Sequence, residues 1–295
     1  MNSARKDQLN YLRINPNDED WGIVVTTVGY QFISPKSHYP LSKHPDQYNF
    51  KPQNGRTLNE YQLVYITKGG GYFESQSCKK TEIHAGTMIL LFPGEWHSYS
   101  PDPETGWDEY WIGFKGIHID RRVEKQFFSK EKPLYKIGIS ATIINLYEDV
   151  LRMASEEKAG YQQMVSSILL HILGSVYYKD KNNAFTDPYI LSKINEAQLL
   201  MKQHTDNPIL PEEIASQLGL GYSWFRRMFK EYTGVSPNQY LLQQKLLRAK
   251  ELLTTTQLNV SEIAYMLKFD NTGQFSTFFK KREGVTPSEF RERAH

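Results

Sequence analysis

The arrangement of apolar and polar residues changes along the chain and divides it into two parts. Between Trp21 and Gly116, apolar residues occur in short runs that glycine, proline and polar clusters interrupt. The interruptions include Lys68 to Gly71, His84 to Gly86 and Pro93-Gly94. Short strands at this spacing are typical of an antiparallel barrel or jelly roll.

Beyond Ser140, apolar residues recur every three or four positions, which predicts helices. Residues 141–151 and 161–178 predict two amphipathic helices. The second carries an apolar stripe formed by Val165, Ile168, Leu169, Ile172 and Val176. Two interpretations stay open at this point: the helices cover the barrel, or they form a two-helix surface for dimerisation.

One pattern occurs twice in the C-terminal third. The copies begin 49 residues apart, at Ile214 and Ile263, and their GV(S/T)P endings lie 50 residues apart, so one residue is inserted between the halves of the unit. Each copy predicts two short helices joined by a tight turn, the helix-turn-helix of DNA-binding proteins. In the first copy, Gly219 supplies the left-handed conformation that commonly ends a helix.

The second helix of each copy has one polar face. In the first copy this face holds Ser223, Arg226, Arg227 and Lys230, with Trp224 at its flank. We expect the two arginines to contact guanine or phosphate, Ser223 and Trp224 to contact bases or a methyl group, and Lys230 to hold a phosphate.

The corresponding helix of the second copy is less basic. Lys280 and Lys281 are expected to hold phosphates. Weaker candidates for reading bases are Thr272, Gln274, Ser276 and Thr277, of which Gln274 could pair with adenine. An alternative is that the polar faces of both helices are ordinary solvated surfaces.

A connecting helix should run from Ser236-Pro237 to about Thr254. About 18 residues at 1.5 Å each span roughly 27 Å. With part of a helix diameter at each end, this places the two recognition helices near the ~34 Å repeat of one DNA turn. One chain could then enter two successive major grooves.

The chain of 295 residues suits two domains. We predict a flexible arm (1–20), a barrel (21–135), a helical dimerisation segment (136–180), a linker (181–188) and a double helix-turn-helix domain (189–295). No apolar run long enough for a membrane span occurs, the N-terminus lacks a signal-peptide core, and Cys78 is the lone cysteine. A cytoplasmic protein without a disulfide or a cysteine metal cluster is expected.

The net charge of +2 conceals an asymmetry. From Tyr222 to the end, 12 Lys+Arg against 7 Asp+Glu give +5, and the remainder carries 23 against 26, or −3. The basic part coincides with the repeat. Since this field is modest, affinity for nucleic acid should depend on placed phosphate contacts as well as on bulk charge.

Specific motifs carry a resemblance to a known family. The stretch from about Pro188 to Arg293 resembles the DNA-binding domain of AraC/XylS-type transcription regulators, in the SWFRRMFK and EIAYMLKFDN segments and both GV(S/T)P endings. Two positions depart from the family pattern: Lys268 stands where glycine is usual, and Thr277 where some members have a base-reading arginine. Residues 61–116 resemble the cupin-type barrel that precedes this domain in many members, in YQLVYITKGGG, AGTMILLFPGEWHSY and WDEYWIGF.

The resemblance implies a regulator that binds double-stranded DNA and a small-molecule effector, expected to be a sugar. It also favours a homodimer formed through the two helices, and it admits RNA polymerase as a partner. Matching the barrel segments position by position implies effector contacts from Lys68, Tyr99, Glu109 and Trp111, with Trp96, His97 and Trp107 nearby. Aromatic rings stack on sugar faces while directed polar groups fix orientation.

Other interpretations of the barrel remain. The aromatic residues could simply pack a core, and Lys68 could be a solvated turn residue. His84 and His97 are isolated, so neither a metal nor another cofactor is expected. Two further functions are a cupin-type isomerase or dioxygenase with a helical appendage, which the missing metal ligands disfavour, and a ligand-independent DNA-binding protein whose barrel only dimerises.

Overall fold

The computed structural model describes residues 7–37, 39, 51–183, 187–204 and 209–294. The chain divides into two compact units, residues 1–183 and 184–295. The first unit is rich in strands and ends in two helices, whereas the second is entirely helical in its described part. This confirms the predicted fold class, a cupin-like β domain followed by two helices and a helical double helix-turn-helix domain.

Nine strands form the β-sheet framework of the described part of the first unit. They are β1 (Gln8–Tyr11), β2 (Val24–Ile33), β3 (Arg56–Thr57), β4 (Tyr61–Ser75), β5 (Thr81–His84), β6 (Thr87–Leu91), β7 (Trp96–Pro101), β8 (Trp107–Lys115) and β9 (Leu134–Lys136). One sheet has the order β1-β2-β8-β4-β6-β9, and a second pairs β3, β7, β4 and β5. All pairings are antiparallel. The long strand β4 belongs to both sheets, which face each other across one core.

The four residues Lys68 to Gly71 do not form the predicted turn but lie inside β4. Gly70 and Gly71 permit this, because a Cβ on Gly70 would lie 2.8 Å from the Ile83 carbonyl oxygen and one on Gly71 2.1 Å from that of Ser100. The glycines therefore let β4 pass close to its neighbours.

The N-terminal stretch was expected to be a flexible arm, and for residues 8–20 that prediction is wrong. Strand β1 pairs with β2, and helix α1 (Pro16–Asp20) begins with a capping box between Asn15 and Asp18. The prediction failed because β1 is only four residues long and lies at the sheet edge, where no hydrophobic alternation is required. Residues 1–6 lie outside the described part.

Three helices complete the first unit: α2 (Ile117–Glu124), α3 (Ala141–Glu156) and α4 (Tyr161–Asn183). The stripe of α4 joins one buried core with α3 and the outer face of the larger sheet, where Val165, Leu169, Ile172 and Val176 are fully buried. Hydrogen bonds reinforce the packing: the Tyr147 hydroxyl donates to the Leu63 carbonyl oxygen at 2.9 Å. These apolar side chains therefore cover the barrel.

The second unit contains seven helices in its described part. They are α5 (Pro188–Gln203), α6 (Pro211–Gln217), α7 (Tyr222–Thr233), α8 (Pro237–Thr255), α9 (Val260–Met266), α10 (Thr272–Glu283) and α11 (Pro287–Ala294). The predicted linker is wrong at both ends, because residues 181–183 continue α4 and Pro188 begins α5, where Pro at the first turn is favourable. Residues 184–186 lie outside the described part.

Candidate DNA interface and effector site

Helices α6 and α7 build the first helix-turn-helix. Gly219 adopts φ +69°, and the Leu220 amide then donates to the Ala215 carbonyl oxygen at 2.8 Å, closing the turn. Phe225 and Phe229 on α7 are fully buried, and their ring centroids lie 5.4 Å apart. Their burial fixes the rotation of α7, so the opposite face points to solvent.

That solvent face carries the residues expected to contact DNA. Ser223, Arg226, Arg227 and Lys230 are exposed, while Trp224 is half-buried against the core of this unit. None of the three cations makes a hydrogen bond or ion pair with another described residue. Charges left in this state are available to phosphates and base edges.

Helices α9 and α10 repeat the arrangement with one difference at the turn. Lys268, at the position that corresponds to Gly219, adopts φ +52°. The Phe269 amide donates to the Ala264 carbonyl oxygen at 3.0 Å, as Leu220 does to Ala215. The turn geometry is thus kept although a residue with a Cβ occupies a left-handed position, at a cost of about 1 kcal/mol.

The outward residues of α10 differ in exposure and in the hydrogen bonds that they make. Gln274, Thr277, Lys280 and Lys281 are exposed, whereas Thr272 and Ser276 are half-buried. The Thr272 hydroxyl lies 2.9 Å from that of Ser261, so it joins α10 to α9. The Gln274 amide makes two hydrogen bonds with Asp270.

Helix α8 joins the two motifs. Ser236 and Gln239 form a capping box at its start. It has 19 residues and therefore spans about 28 Å, close to the length expected from the sequence.

The second candidate site is the barrel interior, the core between the two sheets. Side chains alternate along a strand, so Trp107, Glu109 and Trp111 of β8 share one face. In the register of β2, Glu109 pairs with Gln31 and Trp107 with Ile33. All of these except the half-buried Trp111 are at least 95% buried.

A polar network crosses this interior. The Arg56 guanidinium donates to the Tyr99 hydroxyl at 2.7 Å and to Gln62 Oε1 and His97 Nε2 at 3.4 Å. Since His97 Nε2 accepts, its Nδ1 carries the hydrogen and donates to the Glu95 carbonyl oxygen at 3.0 Å. This fixes the tautomer of the imidazole.

Two buried polar atoms in this interior have no partner among the described residues: Glu109 Oε2 and Trp107 Nε1. The other carboxyl oxygen of Glu109 accepts from the Tyr39 hydroxyl at 3.5 Å. The Tyr39 ring stands edge-on to Trp107, with centroids 5.7 Å apart. Buried polar atoms usually find a partner, so these two mark a place where a ligand could supply one.

Burial also shifts the titration of the polar groups. It raises the pKa of Glu109 to about 8, although the Arg56 charge and the hydrogen bond from Tyr39 act in the opposite direction. Burial lowers the pKa of His97 to about 4, and the Arg56 charge acts in the same direction. At neutral pH the interior therefore holds a neutral imidazole and a largely protonated carboxyl group.

Two residues expected at the effector site do not face the interior. Lys68 is exposed, and a one-residue bulge between Ile66 and Lys68 reverses the alternation of β4, so Lys68 pairs with Asp108 on the outer side. Trp96 alternates with the inward-facing His97 and donates from Nε1 to the Asn54 carbonyl oxygen at 3.0 Å. These two assignments are corrected, whereas His97, Tyr99, Trp107, Glu109 and Trp111 come together.

Sequence reasoning also missed three residues of the interior. Tyr39, Arg56 and Gln62 reach it from the segment after β2, from the two-residue strand β3 and from β4. Of the three, only Gln62 could be predicted from the sequence. It lies at every second position with Val64 and Ile66 in a predicted strand, so the three side chains share one face. Within the described stretches, no group of three or more His, Cys, Asp and Glu is placed to hold a metal ion.

Family models match both parts of the chain. The model of the AraC-like ligand binding domain matches residues 35–173, and that of a helix-turn-helix domain matches residues 214–293. Together they cover well over half of the chain. The protein belongs to the AraC family. It is therefore a DNA-binding transcription regulator with a ligand-binding domain.

Two AraC-family relatives align with most of the chain. The Msm operon regulatory protein of Streptococcus mutans is 22% identical over 86% of this chain and 91% of its own length. The raffinose operon transcriptional regulatory protein RafR of Pediococcus pentosaceus is 25% identical over 83% and 88%.

Solved structures of related proteins were also found. An AraC-type regulator from Chromobacterium violaceum is 30% identical over 35% of this chain and 93% of the solved chain, with a TM-score of 0.34.

Among the helices that the structure describes, none has the length and apolar character needed to cross a bilayer.

Proposed function

We propose that this AraC-family regulator binds a carbohydrate effector in the barrel interior and that the bound effector changes DNA recognition by α7 and α10. The observation that carries the proposal is the pair of buried atoms without partners, Glu109 Oε2 and Trp107 Nε1. Leaving such atoms unmatched costs about 1–3 kcal/mol each, and a ligand that matches them recovers that free energy.

The chemistry of the barrel interior suits a polyhydroxylated ligand. Tyr99, Trp107 and Trp111 offer ring faces, and ring faces attract the C–H surfaces of sugars while the polar groups bind hydroxyls. His97 supports the site through Arg56. The name of the raffinose operon regulator, a relative that aligns over most of the chain, agrees with this class of ligand.

On the DNA side, Arg226 and Arg227 are assigned to guanine edges or phosphates, with Ser223 and Trp224 contacting bases or methyl groups. Lys230, Lys280 and Lys281 hold phosphates, since they are exposed and make no hydrogen bond or ion pair with a described residue. Gln274 and Thr277 are the better placed of the remaining α10 candidates, because both are exposed. Thr272 and Ser276 are less accessible because they are half-buried.

Effector control requires unequal affinity of the ligand for the arrangements of the protein. The outer face of the barrel is tied to α3, where the Tyr110 hydroxyl donates to Glu148 at 2.6 Å. Tyr110 lies between Glu109 and Trp111 in β8 and points to the opposite face. A ligand that moves Glu109 and Trp111 therefore also moves a strand that is joined to α3. The outward faces of α3 and α4 are proposed to form a homodimer, which would act in the cytoplasm with RNA polymerase as a further partner.

The test measures the affinity of the whole chain for DNA with and without raffinose and a panel of related neutral sugars. The duplex is one selected from a random pool. We expect one sugar of the panel to change the affinity at least severalfold and to raise the melting temperature. Trp107→Phe should weaken both effects, because phenylalanine keeps the ring but removes the N–H group.

Trp96→Phe is the matched control, since Trp96 lies outside the interior, and it should leave the sugar response unchanged. If no sugar in the panel changes DNA affinity, the carbohydrate proposal is wrong. If a sugar acts equally on the wild-type and the Trp107 variant, the assignment of the interior as its site is wrong.

A further inference from the structure

A second polar region adjoins the barrel interior toward the end of β8. Side chains alternate along this strand, so Gly113 lies on the same face as Glu109 and Trp111. It follows Glu109 by four residues, a distance of about 13 Å along the strand. In the registers of β2 and β4, Gly113 pairs with Thr27 and Gln62. The interior face of the sheet therefore continues beyond the residues already assigned to the effector.

A β-bulge in β2 brings two neighbouring threonines close to Gly113. The register of β2 shifts between Val25 and Thr27, so Thr26 is the extra residue. A Cβ on Gly113 would lie 2.4 Å from Thr27 Oγ1, 2.8 Å from Thr26 Oγ1 and 2.5 Å from Glu60 Oε1. The three oxygen atoms therefore surround the space that the glycine leaves open.

The hydroxyl groups of Thr26 and Thr27 are both buried, and neither has a hydrogen-bond partner among the described residues. Thr27 as a whole is only 2% exposed. Glu60 beside them is buried too, and its Oε1 accepts from Gln62 Nε2 at 3.3 Å. Buried polar atoms usually have a partner, so two unmatched hydroxyl groups beside a carboxylate mark a place where a ligand could supply one.

Thr26 and Glu60 also line an open groove of about 520 Å³. Its other walls include Tyr11 of β1, Asn59 and Lys115. The volume lies within the range of small-molecule sites, roughly 300–1,000 Å³. The lining offers hydroxyl, carboxylate, amide and ammonium groups, and this mixture of donors and acceptors suits the hydroxyl groups of a sugar.

The bulge is held from the opposite side by α4. The Val25 amide donates to Gln162 Oε1 at 3.3 Å, and Gln162 Nε2 donates to the Val25 carbonyl oxygen at 3.0 Å. Gln162 is 2% exposed, so these bonds are buried. A ligand in the groove would therefore touch β2 at the point where α4 is joined to it.

Hydrogen bonds connect the groove with the barrel interior. Glu60 accepts from Gln62, and Gln62 accepts in turn from Arg56. Arg56 also donates to Tyr99 in the interior. The groove and the interior thus border one chain of polar side chains, and the strand distance of about 13 Å between them is longer than one sugar ring.

We propose that the groove is an outer subsite for a further ring of the effector, so that the effector is an oligosaccharide. One ring would occupy the interior beside Trp107 and Glu109, and another would bind the hydroxyl groups of Thr26 and Thr27. This inference rests on the proposed binding of a carbohydrate in the interior.

The test compares raffinose, which has three rings, with the sugars that compose it. These are melibiose and sucrose with two rings, and galactose, glucose and fructose with one. For each sugar, we measure the concentration that gives half of the change in DNA affinity of the whole chain. We expect a sugar of two or three rings to act at a concentration at least tenfold lower than any sugar of one ring.

Two variants test the groove itself. Thr26→Val and Thr27→Val should each raise the concentration required of the longer sugar severalfold, because valine keeps the shape of threonine without its hydroxyl group. Their melting temperatures without sugar should not fall, since the lost hydroxyl groups have no described partner. Thr105→Val, in the exposed turn before β8, is the matched control and should respond like the wild-type chain.

Each contrary result has its own meaning. If no sugar changes DNA affinity, the proposed carbohydrate function is wrong, and this inference with it. If a sugar of one ring acts at as low a concentration as the longer sugars, only the inference is wrong. An equal response of the wild-type chain and both threonine variants would also overturn it. So would a lower melting temperature of the sugar-free variants, because the hydroxyl groups would then stabilise the fold.

Discussion

The barrel interior and the outward faces of α7 and α10 both hold polar groups that make no hydrogen bond with a described residue, but in opposite surroundings. Glu109 Oε2 and Trp107 Nε1 are buried, whereas Arg226, Arg227 and Lys280 are exposed. A buried polar group without a partner has lost its hydration, while an exposed cation keeps it.

Because of this difference, substitutions at the two sites should affect different measurable properties. Groups in the interior should change the stability of the fold and its dependence on pH, because burial penalises their charged forms. Groups on the helices should change DNA affinity and its dependence on salt while leaving stability nearly unchanged.

The largest effect is expected from Glu109. Its pKa is raised to about 8, so the folded chain keeps a proton that the unfolded chain releases above about pH 4.5. The associated stability is complete at low pH and is lost as pH rises through 8, by on the order of 3–5 kcal/mol in total. Glu109→Gln should remove this loss, because glutamine does not titrate.

Urea unfolding at pH 5.5 and 8.5, followed by tryptophan fluorescence, measures the effect. Four of the five tryptophans lie in the first unit, so the signal reports mainly on the barrel. The stability of the wild-type chain should fall relative to that of Glu109→Gln at the higher pH. If the stability of the two proteins depends equally on pH, the pKa of Glu109 is not raised in the folded chain.

Removing an arginine from α7 should have the next largest effect. Arg226→Ala and Arg227→Ala should each weaken binding to a selected duplex, and the one that reads a base should cost about 1–3 kcal/mol and relax specificity at that pair. The melting temperature should hardly change, since both side chains are exposed and make no hydrogen bond or ion pair with a described residue.

Arg121→Ala on α2 is the matched control, because it removes the same charge from another exposed position. Its duplex affinity should stay close to that of the wild-type chain. If both α7 variants bind like this control, α7 is not a recognition helix.

The two turns provide a smaller effect on stability. Lys268→Gly should stabilise the second unit by about 0.5–1 kcal/mol, because glycine adopts φ +52° without the penalty of a Cβ. Gly219→Ala should destabilise it by a similar amount. Helical circular dichroism during thermal unfolding gives both values, and Lys268→Ala, which keeps the Cβ, should gain nothing comparable.

The smallest effect is expected from Lys280. Replacing it with alanine should weaken binding to all duplexes about equally and reduce the slope of log affinity against log salt by about 0.9. A titration over a range of salt concentrations, on the selected duplex and on an unrelated one, measures this slope. Loss of discrimination between the duplexes would instead indicate base contact.

The sequence predicted the helical half well because its signals are local. Phe225 and Phe229 at helical spacing, Gly219 at the turn and Pro237 at a helix start each act within one or two turns of chain. Their repetition fifty residues later made the architecture explicit. The Asp270–Gln274 pair was not predicted, because it depends on side-chain rotamers within a turn.

The residues of the barrel interior were harder to predict from the sequence, because their positions depend on strand register and on long-range contacts. The bulge near Lys68 reverses the facing of every later residue in β4, and such a shift has no clear composition signal. Arg56 reaches the interior from a strand of only two residues. Tyr99, Glu109 and Trp111 were assigned to the interior because matching to a family preserved their facing.

The most direct test of the central claim is dimethyl sulfate interference on a duplex that the whole chain selects from a random pool. Methylation at guanine N7 reports contact in the major groove. Two clusters of interfering positions about 10 base pairs apart, one of which disappears with Arg226→Ala or Arg227→Ala, are expected from two recognition helices joined by α8. A single cluster, no cluster, or failure to select any duplex would contradict the account.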